Sequence, residues 1–188
     1  MLAELQQQCT DLDRRSRTLL DELAHLAPPE LSFKPHPRSW SILEVVQHLV
    51  LAEQDVIGNA RFADTPAFRR RDLRALLGYP AVFLVLYYGV PWPVPSAGMI
   101  PDGRATLAEL RSQWSDLHAW LQHYVDRLTP TTIKRAVFYH PLTGPITVKQ
   151  TLVLSHIHLT CHTRQIERIK QLALASATSA AYGSSRHP

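Results

Sequence analysis

Residues 106–128 read TLAELRSQWSDLHAWLQHYVDRL. Thr106 followed three residues later by Glu109 is the pairing that caps a helix start, each side chain satisfying a backbone N–H of the other. Beyond the cap, Leu107, Leu110, Trp114, Leu117, Leu121, Tyr124 and Leu128 recur in steps of three and four. A stripe this regular predicts a helix that packs along its length against other helices. His118 and His123 fall outside the seam and are expected on the surface.

Working outward, residues 2–26 carry Leu2, Leu5, Cys9, Leu12, Leu19, Leu23 and Leu26 at the same spacing, interrupted only by Ser16. Pro28-Pro29 ends this first helix, and Leu31 to Ser39 should be an extended loop. Ser41 with Glu44 caps a second helix running to about Phe62. A short basic helix is expected near Pro66 to Leu77, followed by a long Pro-rich excursion from Gly78 to Pro101. Ala136 to Tyr139 looks β-like and leads into a turn over His140 to Pro145. Thr147 opens a last bundle helix that runs to about Leu174. The expected organisation is therefore an all-α four-helix bundle over residues 1–174 with a disordered tail over 175–188.

Composition narrows the function classes. Of 188 residues, 45% are hydrophobic and 19% charged, a globular balance. The apolar run Ala81 to Val90 is about half the ~20 residues a membrane span needs, and no signal-peptide pattern is visible. A cytoplasmic location without membrane contact is the expectation. Arg69, Arg70, Arg71 and Arg74 form one basic cluster without interleaved aromatics, so no nucleic-acid partner is expected. Cys9 and Cys161 form no CxxC motif, and Cys161 is expected to be a packed cysteine.

The chemistry concentrates on the last helix. Val148, Leu152, Leu159, Ile166 and Ile169 define its buried stripe, yet Ser155 and His162 share it, with His158 one turn before. Thr151 and Gln165 lie along the same edge. Buried polar groups cost about 1–3 kcal/mol each unless something satisfies them. Imidazoles four apart on a helix can reach one ion, and His48, among Val45, Leu49 and Ala52 on the second helix, can supply a third nitrogen. The 10 histidines leave room for another explanation, core histidines bonded to backbone carbonyls. His156 should face solvent, while His140 and His36 could reach the mouth of the bundle. Glu44 is either the helix-cap acid or a base near His48. The aromatic excursion, with Phe83, Leu84, Leu86, Tyr87, Tyr88 and Trp92, either forms a partner surface or folds back over the bundle.

The segments WSILEVVQHLVLAE and HPLTGPITVKQTLVLSHIHLTCHTRQIERI resemble the DinB-like superfamily, the metal-binding four-helix group that includes YfiT-type bacillithiol S-transferases. The resemblance rests on Trp40, Ser41 and His48, on His158, His162, Gln165 and Ile166, and on the turn residues His140, Pro141, Gly144 and Thr147. It implies a tri-histidine site at His48, His158 and His162 for a divalent metal, zinc or nickel, and frequent homodimers. It also implies a small-molecule substrate, handled either by transfer of a low-molecular-weight thiol or by hydrolysis. No catalytic residue beyond the ligands is implied. The Pro-rich excursion departs from the family pattern. The alternative is a non-catalytic stress-response or binding bundle that acts through dimer or partner contacts.

Overall fold

The computed structural model describes residues 1–184 apart from Phe62, Asp64, Thr65, Arg71 and Asp72. The side chains of Asn59 and of 177–184 also lie outside the described set. Four helices carry the core: α1 (Leu2–Leu23), α3 (Ile42–Arg61), α5 (Leu107–Asp126) and α6 (Val148–Ser184). Between them lie α2 (Pro28–Ser32), α4 (Leu73–Tyr88), a 3-10 turn (Ala97–Met99) and the strands β1 (Ala136–His140) and β2 (Gly144–Thr147).

Both predicted caps form. The Glu44 backbone N–H donates to Ser41 Oγ at 3.3 Å, and the Ser41 N–H donates to Glu44 Oε2 at 2.8 Å. The Thr106 and Glu109 pair does the same at 3.2 and 2.7 Å. With its ends fixed, each helix buries its stripe. Leu12, Leu49, Leu117 and Leu152 are fully buried, one from each bundle helix.

The packing order is not the order of the chain. Helix α1 packs on α5 and α6, and α3 packs on the same two. The successive bundle helices α1 and α3 thus stand diagonally across the core. Each bundle helix therefore meets partners on two sides and buries a wider face than one three-four seam. The antiparallel hairpin pairs His140 with Gly144 and Phe138 with Ile146, and packs against α3 and α6.

Three local expectations are corrected. Residues 28–32 form a short helix, because Pro28 and Pro29 occupy its first turn, where a missing N–H costs nothing. The first part of the excursion is helical: α4 runs from Leu73 to Tyr88 through Pro80. Proline removes the bond to the carbonyl of Leu76, a residue on the solvent side at 68% exposure, where water can take that role. Gly78 lets α4 meet the hairpin, since a Cβ there would stand 2.9 Å from the Leu142 carbonyl oxygen. Gly89, with φ of 64°, ends the helix. The last helix extends to Ser184 rather than stopping near Leu174. Of the tail expected over 175–188, residues 175–184 continue α6 and 185–188 lie outside the described residues, as do Phe62 and Arg71. Among the described residues, no helix is long and apolar enough to cross a membrane.

Candidate metal centre

His48 projects from α3, and His158 and His162 from successive turns of α6. Their ring centroids are 4.5 Å apart for His158 and His162, 4.9 Å for His48 and His162, and 5.2 Å for His48 and His158. The rings stand edge to face, at 69° to 84°. One nitrogen from each lies within 4.8 Å of the others. Bonds of ~2.0–2.1 Å at a tetrahedral angle need about 3.3 Å between nitrogens, so the rings must turn inward to share one ion.

The second ring nitrogen of two histidines is already committed. His48 Nδ1 donates to the Met99 carbonyl oxygen at 2.8 Å, and His162 Nδ1 donates to Gln165 Oε1 at 2.8 Å. A proton held on Nδ1 leaves the lone pair on Nε2, the tautomer a metal ligand requires. Trp40 packs on the His48 ring at 4.8 Å between centroids.

The Met99 carbonyl is positioned from α3 itself. Ser96 Oγ donates to Asp55 Oδ1 at 3.3 Å, Gln47 Nε2 donates to Asp102 Oδ1 at 2.7 Å, and the Gly103 N–H donates to Gln47 Oε1 at 3.0 Å. These bonds pin residues 96–103 along α3 and seat the 3-10 turn over His48. The connection after α4 thus folds back on the bundle.

Electrostatics keep the cluster neutral. Burial lowers the His48 pKa against the opposing bond to Met99. Burial lowers His158 furthest, with His162, His48 and His140 adding to the effect. His162 falls to about 4 through burial and its neighbour His48. Near pH 7 all three rings are uncharged with lone pairs free, so the donor set fits a divalent ion. An all-imidazole set suits zinc and nickel.

A cavity of about 620 Å³ opens beside the histidines. Apolar residues of α3 and α4, among them Val56, Val82 and Leu86, form much of its wall, with Thr151 and Ser155 from α6. Arg168 stands exposed where the wall meets solvent. His140 also lines it. Its Nδ1 accepts the N–H groups of Leu142 and Thr143 at 3.2 and 3.4 Å, which puts its proton on Nε2 as a donor. Burial, reinforced by Arg74, lowers the His140 pKa to about 4.

The remaining sequence candidates separate clearly. Glu44 is the cap acid, held also by Lys34 at 2.7 Å. His36 and His123 are exposed, and neither lines the cavity. Cys161 is half-buried in the cavity wall rather than packed in the core. Arg69 and Arg74 serve the hairpin: the Arg69 N–H donates to the Ala136 carbonyl at 2.8 Å, and Arg74 donates to the carbonyls of Pro141 and Leu142. His156 is not solvent-facing: it is half-buried, with Nε2 donating to the Gln8 carbonyl at 3.0 Å and Arg15 beside Nδ1 at 3.2 Å.

His118 requires the largest correction, being 5% exposed rather than on the surface. Its Nε2 donates to Glu53 Oε2 at 2.9 Å, and its Nδ1 faces Asp13 at 3.5 Å. Trp114 Nε1 donates to the same Glu53 oxygen at 3.1 Å. Burial opposes protonation of His118, but Glu53 and Asp13 outweigh it and raise the pKa to about 9. The signal in the sequence was the break at Ser16 in the α1 stripe: its hydroxyl lies 3.4 Å from His118 Nδ1.

Comparison with known proteins agrees with this architecture. The sequence model of the DinB superfamily matches residues 11–166. No curated protein matches the chain. Among solved structures, YfiT from Bacillus subtilis, described as a probable metal-dependent hydrolase with an unusual four-helix bundle topology, is similar in fold. It is 20% identical, with a TM-score of 0.50 over 90% of this chain and 86% of that one. With both capped helices, the diagonal bundle and the matched residues in place, the chain belongs to the DinB superfamily.

Proposed function

We propose that His48, His158 and His162 hold a divalent metal, zinc or nickel, and that the adjoining cavity is the active site of a metal-dependent enzyme acting on a small molecule. The observation that carries this reading is the fixed tautomer of His48 and His162. Carbonyl oxygens take the Nδ1 protons, so both rings offer Nε2 lone pairs beside His158. A purely structural histidine has no need of a free, converging lone pair.

When bound, the ion supplies Lewis acidity, which favours the deprotonated form of a water or a thiol. The chain supplies the rest. Three protein ligands leave coordination open, the apolar wall limits water, and His140 offers an Nε2–H donor to an oxygen that gains charge. Hydrolysis and transfer of a low-molecular-weight thiol both fit this arrangement, as does the likeness to YfiT. The two free cysteines suit a reducing cytoplasmic setting.

The second reading, a binding bundle that dimerises, rests on exposed side chains of α4 and the segment after it. Leu73 is 75%, Tyr88 72% and Trp92 61% exposed. Tyr87 and Tyr88 meet edge to face at 5.2 Å and present an apolar surface suited to a second copy.

Metal analysis of the purified protein tests the first reading. About one equivalent of zinc or nickel is expected in the wild type and none in the His48→Ala/His158→Ala/His162→Ala variant. Consumption of a small thiol against an electrophile, or hydrolysis of esters and amides, should then vanish on chelation. Full occupancy without turnover on any of these would favour the binding bundle.

A further inference from the structure

The cavity beside the histidines holds positive charge that its own wall does not balance. Among the described residues, Glu53 is the one carboxylate in that wall, and its charge is already matched by the His118 imidazolium at 2.9 Å. The three converging histidines are neutral, so an ion they hold keeps its full charge. Arg168 adds an exposed guanidinium at the edge of the wall and makes no hydrogen bond or ion pair among the described residues. Arg164, one turn earlier, makes none either, and the neighbouring Glu167 is bound by Lys170 at 2.9 Å. Like charges four residues apart on a helix repel, and no ion pair offsets these two.

Helix geometry sets where Arg168 stands. His158, Cys161, His162, Gln165 and Arg168 all line the cavity and follow one another along α6 in steps that keep them on one face. Arg168 lies six residues beyond His162, ~9 Å along the axis. Side chains on a helix tilt toward its N-terminus, which for Arg168 is back toward the histidines. The wall between them is apolar. Gly89, at the end of α4, lies over Cys161, where a Cβ would stand 3.9 Å from Sγ, and Val85 and Leu86 line the turn before it.

We propose that Arg168 is the anion-binding end of this cavity, and that the substrate is an elongated small molecule with an acidic oxygen group, carboxylate or phosphoryl, at one end. An apolar chain then crosses the α4 wall and brings the reacting group to the histidines. A guanidinium forks onto two oxygens of such an acid, and an unbalanced positive cavity draws anions toward it. The inference rests on the enzyme reading for the reacting end, whereas the part played by Arg168 is measurable without metal.

The probes are 6-mercaptohexanoate, 6-mercaptohexylphosphonate and 6-mercaptohexan-1-ol, alike in chain and thiol, the last uncharged at its far end. Each is titrated by calorimetry into zinc-loaded and metal-stripped protein, wild type and Arg168→Gln, with the Arg168 Nε–H resonance followed in parallel. In the wild type at least one anion should bind about tenfold more tightly than the alcohol and shift that resonance, and the tighter of the two names the acidic group. Arg168→Gln should remove most of this difference and leave the alcohol binding as before. Equal affinity of all three probes for the wild type, or an unmoved Arg168 resonance, would overturn the proposal even if the variant does not fold. An undiminished anion preference in a well-folded Arg168→Gln protein would also overturn it. A wild type that retains no zinc, yet prefers the anions through Arg168 in its stripped form, would support the anion end and count against the metal reading alone.

Discussion

Two buried histidine clusters flank α3, and they are built on opposite principles. On the α6 side, His48 and His162 give their Nδ1 protons to uncharged carbonyl oxygens, and their lone pairs converge with His158. On the α5 side, both nitrogens of His118 face acids, Glu53 and Asp13, so the ring is charged and committed. Burial alone therefore says little about what a histidine does. The partners of both nitrogens decide it: one neutral acceptor leaves a lone pair free on the other nitrogen, whereas acids on both sides hold His118 as a cation.

The contrast can be broken most directly at the three converging histidines. His158→Ala should abolish metal retention, read by elemental analysis, while thermal unfolding of the metal-free protein changes little by comparison. A variant that kept its metal would remove the distinction. His118→Ala should act through folding instead. It strips the partner from a buried carboxylate, and about 3–5 kcal/mol should disappear in a urea titration with metal content per folded molecule intact. Next in size is Gln165→Leu, which removes the carbonyl that orients His162. Metal affinity should fall about 10–100-fold in a chelator competition. Ser41→Ala, at the α3 cap, should cost about 1 kcal/mol of stability and leave both clusters alike.

Acidity offers a finer comparison, because the clusters respond with opposite sign. His162 is depressed to about 4 from an ordinary 6.5. The unfolded chain binds the extra proton between those values, so the His162 contribution to the stability of metal-free protein is full above about 6.5 and lost as pH falls toward 4. His118 is raised from 6.5 to about 9. The folded chain holds the extra proton there, so its contribution is full below about 6.5 and lost as pH rises through 9. Chemical unfolding across pH should show both limbs, with His118→Asn flattening only the alkaline one. If that variant left the alkaline limb unchanged, the charged role assigned to His118 would be wrong.

The tri-histidine site was legible because it follows helix arithmetic. His158 and His162 stand one turn apart on a stripe marked by Leu159 and Ile166, and His48 sits among Val45 and Leu49. The Glu53–His118 cluster was hidden by the diagonal packing. Helix α5 meets α1 on one side and α3 on the other, so it buries residues beyond the Leu117–Leu121 seam. His156 was hidden for the same reason, since α6 also meets α1, where Gln8 and Arg15 receive it. Helix α4 was obscured by counting prolines: Pro80 breaks a bond on the solvent side, and the other prolines of the segment lie beyond Gly89. The carbonyl that fixes His48 belongs to Met99, and no side-chain pattern reports a backbone oxygen.

The chain that follows α4 does two jobs with one piece of polypeptide. Trp92 and Pro93 line the cavity, and a few residues later Met99 supplies the oxygen that sets the His48 proton. The cavity wall and the tautomer of His48 are consequently geared to each other. Displacing this strip far enough to widen the opening would slacken the grip on His48, and a change of length between Val90 and Ser96 would retune both at once.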